Sequence, residues 1–250
     1  MTRNISCSAL VLRGRPSGES NRDVWMLTEE SGIVRATVFG GPKSRLRSYA
    51  SPFHSGQAWI YRDPAKTACK LSDFDVRCWR PGIREMYERA MAADAVAETL
   101  LASHAGGGNW PVALSLAEAV LDALETAGGE DCRMTVMWFM WQWAQFLGIR
   151  PDLGKCCACG RPVEDSGRPV FSPSESGMIC ARCHGANTGL HQGCVPAGPG
   201  CRLWLRNVES RPLSKLASFT MDRQSFAETR ALTQTVLACA IGKKLSSWEW

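Results

Sequence analysis

Two cysteine pairs dominate the chemistry this sequence can perform: Cys156-Cys157-Ala158-Cys159-Gly160 and Cys180-Ala181-Arg182-Cys183. Written out, they form C-x2-C-x20-C-x2-C, the upper end of zinc-ribbon spacing. Each C-x-x-C brings two thiolates to one tetrahedral centre, and Gly160 eases the tight turn between them. Four thiolates close the coordination sphere and leave no position for a reactive water. Cys156, Cys159, Cys180 and Cys183 are therefore expected to hold one structural Zn2+ per chain. Cys157, His184, His191 and Cys194 lie near enough to compete for a ligand position. A dithiol redox centre would want a single C-x-x-C beside a βαβ unit, which is missing, and free buried thiols remain the plainer alternative.

The second group of chemically useful residues is basic. Residues 1–80 carry 13 Lys+Arg against 7 Asp+Glu, whereas the whole 250-residue chain is only +5. A polyanion should therefore meet the N-terminal third. Within it, Gly40-Gly41-Pro42-Lys43-Ser44-Arg45-Leu46-Arg47 follows a strand directly. Its cations can neutralise phosphates while its glycines let backbone approach closely. Arg13, Arg35, Arg62, Lys66 and Lys70 extend the candidate DNA-binding set. The segment is not a nucleotide P-loop, because G-x-x-x-x-G-K-[ST] spacing is missing. No G-x-S-x-G, H-E-x-x-H or dinucleotide fingerprint occurs, and the four histidines are scattered. Asp73 and Asp75 share a strand face with no third carboxylate at motif spacing, and read as a solvated edge. The chain is expected to be no enzyme.

The elements that must carry these residues change character near residue 80. Short β-rich runs at 6–13, 24–28, 33–39, 57–61 and 68–79 alternate with turn signals at 16–21, 29–32, 40–44 and 62–64. Five short strands without an intervening helix suggest a small barrel. The pattern alone leaves an OB-fold and an SH3-like barrel both open. After Pro81-Gly82 the apolar period becomes helical through Met86, Ala90, Ala93, Leu100 and Leu101, stopping at Gly106-Gly107-Gly108. Asn109 and Pro111 open a second helix that ends at Gly128-Gly129. A third runs from about Arg133 to Leu147. Its Trp138, Trp141 and Trp143 sit among apolar neighbours all round and are expected in the core, not against bases. Residues 185–200 read as a Gly/Pro-rich loop. Short helical pieces at 201–207 and 212–219 follow, and then a last helix from Asp222 to Gly242. The expected organisation is α+β: a β-barrel at 1–80 and a helical domain at 81–250 with a zinc insert at about 154–185.

The uncharged run Met134–Ile149 spans only 16 residues and includes Gln142 and Gln145, too short and polar for a membrane helix. Arg3, Arg13 and Arg15 surround a short apolar patch without a small-residue cleavage site, unlike a signal peptide. A soluble cytoplasmic protein in a reducing compartment is expected, so Cys7, Cys69, Cys78, Cys132 and Cys239 read as small buried hydrophobes.

Several motifs, taken in order, resemble the RecO family of bacterial recombination mediators. They are Ala9–Arg13 with Gly18–Arg22, Gly32–Ala36 with Lys43-Ser44-Arg45, Phe146-Leu147-Gly148, the cysteine knuckle, Phe171-Ser172-Pro173 leading to Gly177, and Ile241–Ser247. The resemblance covers nearly the whole chain. It departs from the family in the doubled Cys156-Cys157 and in the extra Trp59 and Trp79. It implies an OB-fold at about 1–80, followed by a helical domain with the zinc site. It also implies binding of single- and double-stranded DNA and annealing of complementary strands without a nucleotide cofactor. By the same resemblance, the partners are RecR and single-stranded-DNA-binding protein, with RecA loaded on coated DNA in the RecF pathway of repair, in a cytoplasmic, nucleoid-associated setting. Two other readings compete: a zinc-stapled scaffold that binds proteins only, and a zinc-ribbon transcription factor. The near-balanced charge around 156–183 disfavours the last.

Overall fold

The computed structural model describes residues 4–41, 43–62, 69–163, 167–186, 193–218 and 220–249. It begins with strands β1 (Asn4–Ser17), β2 (Asn21–Thr28) and β3 (Gly32–Val38) and a short helix α1 (Arg45–Tyr49). Strands β4 (Ser55–Arg62) and β5 (Cys69–Cys78) follow. They close into one barrel in the order β1-β2-β3-β5-β4, with β4 pairing back onto β1. Every neighbouring pair is antiparallel except β3–β5, joined in parallel through Ala36↔Cys69 and Thr37↔Lys70. This is the OB arrangement, so the expectation of a five-stranded barrel holds.

The core follows the two-residue period of the strands. Cys7, Ala9 and Val11 of β1 point inward. So do Val24 and Met26 of β2, Val34, Ala36 and Val38 of β3, Ala58 and Ile60 of β4, and Leu71 and Phe74 of β5. Helix α1 plugs one end: Leu46 and Tyr49 pack on the core and Ala50 is fully buried. Leu10 and Leu27, on the opposite face of β1 and β2, are also fully buried. Two helices, α2 (Tyr87–Ala102) and α3 (Trp110–Thr126), cover that outer face. Asn109 precedes α3 as expected, but its side chain caps no backbone N–H.

The compact unit built on the barrel therefore extends well past residue 80, over Met1–Gly129. Arg80 explains why. Its backbone takes a left-handed turn (φ 45°) ahead of a 3-10 turn at Pro81–Arg84, and its side chain is buried. Its guanidinium donates to Asp122 on α3 (2.6 Å), the Phe53 carbonyl (2.8 Å) and the Ser55 hydroxyl (3.1 Å). One cation thus ties the first residues of β4 to the helix layer.

The second unit, Glu130–Trp250, holds most of α4 (Gly129–Phe146), a three-stranded sheet, and helices α5 to α7. The sheet comprises β6 (Val170–Ser172), β7 (Gly177–Ile179) and β8 (Val195–Pro196) in the order β7-β6-β8. The helices are α5 (Ala181–Ala186), α6 (Pro199–Glu209) and α7 (Arg223–Ile241). Trp141 and Trp143 are fully buried and Trp138 nearly so, as the apolar surroundings predicted. Trp143 stacks between Phe139 and Phe146. Asp222 caps α7 by accepting from the N–H groups of Gln224 and Ser225, and Gly242 ends it in the left-handed region. The segment 185–200 departs from a pure loop. Its first two residues finish α5, Val195-Pro196 add a strand, and Pro199 starts α6; residues 187–192 lie outside the described ones. Among the single cysteines, Cys7 and Cys132 are buried and Cys69 half-buried. Cys78 and Cys239 are exposed, contrary to expectation, because both sit on solvent-facing positions of their elements. Among the described residues no helix is long and apolar enough to cross a membrane.

Removing a buried charged donor strands its acceptors, and removing its carboxylate strands the buried cation. Arg80→Met should therefore destabilise the barrel unit by roughly 2–4 kcal/mol, and Asp122→Ala, which leaves the buried guanidinium without its counter-charge, by roughly 1–3 kcal/mol, read from urea unfolding. No loss in either variant would contradict this account of the joint.

Candidate metal centre and nucleic-acid interface

The first C-x-x-C lies in a tight hairpin. Val163 N–H donates to Gly154 O and Cys156 N–H to Arg161 O, both at 2.9 Å, around the Lys155↔Pro162 bridge. Gly160 closes the knuckle: its φ is +70° and its N–H reaches Cys156 O at 2.8 Å. The second pair straddles the end of β7 and the first turn of α5. The outcome is one cluster in which the sulfurs of Cys156, Cys159, Cys180 and Cys183 all lie within 4.8 Å of one another. Cys159 and Cys180 are 4.0 Å apart. A tetrahedral M–S distance of ~2.3 Å requires sulfurs about 3.8 Å apart, while a disulfide would need about 2.05 Å. The four thiols thus fit a tetrahedral metal ion.

The electrostatics agree with that fit. Burial pushes the Cys156 thiol up, but the N–H groups of Cys180, Cys159 and Ala158 outweigh it and bring the thiol below its ordinary value. The backbone and guanidinium of Arg161 bring Cys159 down to about 6. Hydrogen bonding with Cys159 and Cys180 pushes Cys183 up to about 12, as a fourth anion among thiolates demands. Only a cation at the centre lets all four ionise together.

Cys157 does not join them. It is exposed, its N–H donates to Met178 O (2.8 Å), and its side chain lies against Gly177. A Cβ added to Gly177 would meet the Cys157 Cβ at 2.9 Å. Cys194 and His184 are also outside the cluster, and His191 lies outside the described residues. Two arginines of α6 hold the module from behind, and nothing in the sequence pattern announced them. Buried Arg202 donates to the carbonyls of Ala197 and Val163 (3.1 Å each), and Arg206 to that of Leu153 (3.1 Å).

The predicted basic residues divide by their partners. Arg35 is ion-paired to buried Asp23 at 2.5 Å and lies over the Trp25 ring, while Thr37 donates to the same carboxylate. Burial raises the Asp23 pKa, yet Arg35 and Thr37 together hold it below its usual range. Lys70 lies over Phe39, and Arg13 and Arg62 are exposed on β1 and β4. Lys66 lies outside the described residues. Lys43 is exposed just before α1. Arg45 and Arg47 are not on an open loop but on α1. Arg45 lies over Tyr49 and bonds to its hydroxyl, and Arg47 donates to Ser20 O (3.3 Å) in the β1–β2 turn.

That bond draws together residues the sequence never grouped. Arg22 is the second residue of β2, its guanidinium lying along Gly14, where an added Cβ would meet it at 2.4 Å. Burial lowers the Arg22 pKa first, followed by the charges of Arg47 and Arg84. Arg84 donates to Pro52 O (3.0 Å) and reaches His54 Nε2 (3.4 Å). His54 Nδ1 faces Tyr49 O at 2.9 Å, which makes it the protonated nitrogen of a neutral ring with Nε2 as acceptor. Burial, the largest influence, keeps His54 below its ordinary pKa, aided by Arg84 and Arg80 against the pull of Tyr49 O. Among the described residues Arg22, Arg45, Arg47 and Arg84 form no ion pair with a carboxylate. One end of the barrel therefore presents clustered, uncompensated positive charge.

Three outcomes follow. Metal analysis should find one equivalent per chain in the wild type and in Cys157→Ser, and none in Cys180→Ser; loss in Cys157→Ser would move the ligand assignment. Arg35→Ala should cost about 1–2 kcal/mol of unfolding free energy with little change in polyanion affinity, since its charge is already spent on Asp23. His54, with its folded pKa depressed, stabilises fully above its unfolded value near 6.5. Stability should fall as pH drops below that value, and His54→Gln should flatten the fall.

Residues 1–75 match the family described as "Recombination protein O N terminal", and residues 84–249 match "Recombination protein O C terminal". The chain is 27% identical over 242 residues to the DNA repair protein RecO of Desulfitobacterium hafniense (strain DSM 10664 / DCB-2), covering 96% of this chain and 86% of that one. It is 30% identical over 213 residues to the DNA repair protein RecO of Rubrobacter xylanophilus, covering 84% and 82%. Most of the barrel, helices α2 to α7 and the cysteine module fall inside these matches, and the chain belongs to the RecO family.

Proposed function

We propose that this chain is a DNA-binding recombination mediator that acts without catalysis and without a nucleotide. The carrying observation is the barrel end where, among the described residues, Arg22, Arg45, Arg47 and Arg84 pair with no carboxylate, with exposed Lys43 just ahead of α1. Such a surface binds phosphates by releasing condensed counterions. Barrel and α1 hold one strand by its backbone and leave its base edges free. That raises the local concentration available to a complement, which is sufficient for annealing. Membership of the RecO family supports the finer reading: single- and double-stranded DNA as ligands, RecR and single-stranded-DNA-binding protein as partners, and RecA loading as outcome. It also supports a cytoplasmic, nucleoid-associated setting.

In this reading the ion held by Cys156, Cys159, Cys180 and Cys183 is structural Zn2+. It joins the 154–163 hairpin to the β7–α5 junction, and Arg202 and Arg206 fix that hairpin's carbonyls to α6. Its role is to fix the shape of the second unit, with no open coordination position for chemistry.

The test is the salt dependence of single-strand affinity. The slope of log K against log salt is about −0.7 per phosphate contacted, so replacing Lys43, Arg45 and Arg47 together by Ala should weaken binding and flatten the slope by roughly 2. An unchanged slope would remove α1 from the interface. No binding by the folded wild type near physiological salt would favour the zinc-stapled protein scaffold.

A further inference from the structure

Four tryptophans of the barrel unit keep some solvent exposure, and their surroundings differ. Trp110, which opens α3, is half-buried with its indole against Gly32. Trp25 is half-buried under Arg35, whose charge is spent on Asp23. Trp59 is 39% exposed but stands in register between Ser6 and Asp73, on a face that also carries Asp75. Trp79, just beyond β5, is 44% exposed and sits at the basic end. Its two aromatic neighbours meet it steeply: Tyr49 at 5.2 Å and 84°, His54 at 5.0 Å and 64°. Among the described residues no ring lies parallel on the indole and no cation sits over it.

Its supports are themselves fixed. Arg45 lies over Tyr49, and His54 is held between Tyr49 O and Arg84. A rigid, open indole among uncompensated guanidinium groups matches a nucleotide, which offers a flat π surface and an anion together. An apolar protein partner would gain nothing from the surrounding charge. A base inside a duplex is stacked on both faces and cannot use such a surface; an unpaired base can.

We propose that Trp79 is the stacking platform for one unpaired base of a bound single strand, with Arg45 and Arg84 flanking that nucleotide's phosphates. This rests on the nucleic-acid reading above and adds to it a residue that discriminates single strand from duplex.

The test uses the full chain with three probes: a mixed-sequence single strand, the same strand carrying abasic sites throughout, and the matching duplex. Base–aromatic stacking is worth about 5- to 150-fold in affinity. Trp79→Ala should lose that factor on the intact strand only, with the salt slope unchanged. Trp79→Phe should recover much of it, and Trp79→Leu, apolar but without a π face, should not. Equal losses on all three probes, no loss on the intact strand, or full recovery by Leu would each overturn the proposal. Salt-dependent binding that persists unaltered in Trp79→Ala would overturn the stacking alone. Absence of binding by the wild type would overturn the nucleic-acid reading and the stacking with it.

Discussion

The arrangement of the N-terminal unit depends on one short contact, the parallel pairing of β3 with β5 through Ala36↔Cys69 and Thr37↔Lys70. It closes the barrel and removes the last free sheet edges, which would otherwise invite pairing with other chains. It also forces the chain between β3 and β4 to cross the barrel end. Helix α1 is that crossing. Because Leu46 and Ala50 must face the core, Arg45 and Arg47 face outward, toward the β1–β2 turn and the aromatic ring formed by Tyr49, His54 and Trp79. Chemistry at the basic end is thus a consequence of how the barrel closes.

Arginine serves two opposed purposes in this protein, and net charge does not distinguish them. Arg35, Arg80, Arg202 and Arg206 spend their donors on a carboxylate or on backbone carbonyls, so each fixes geometry and offers little to a polyanion. Among the described residues Arg45, Arg47 and Arg84 bond to neutral partners and none of the four pairs with a carboxylate, while Arg47 and Arg84 both bear on Arg22. Like charges held together cost stability, a cost that a bound phosphate chain reverses. The four cysteines pose the mirror-image problem: thiolates gathered without compensation until a cation joins them.

Much of this architecture was legible in the residues. Strands came from β-rich runs between turn signals, and helices from apolar period and from stops such as Gly106–Gly108 and Gly242. The cysteine cluster came from its spacing. What escaped notice shares a physical cause. Arg22, His54, Trp79 and Arg84 are scattered over more than sixty positions and meet only because the barrel closes, so no local pattern marks them. Helix α1 is five residues long, too short for a period to register. Arg202 went unmarked because its acceptors, the carbonyls of Val163 and Ala197, are backbone atoms that composition cannot reveal. The short strands β6 to β8 owe their existence to the hairpins beside the cysteines more than to strand-forming runs of their own.

The central claim is that a passive, salt-sensitive grip on one strand suffices to bring a complement to it. The most direct measurement is annealing of two complementary oligonucleotides precoated with single-stranded-DNA-binding protein, without nucleotide, at two salt concentrations. The account predicts acceleration by the protein that fades as salt rises. No acceleration at either salt, by protein shown to be folded and metal-loaded, would contradict it.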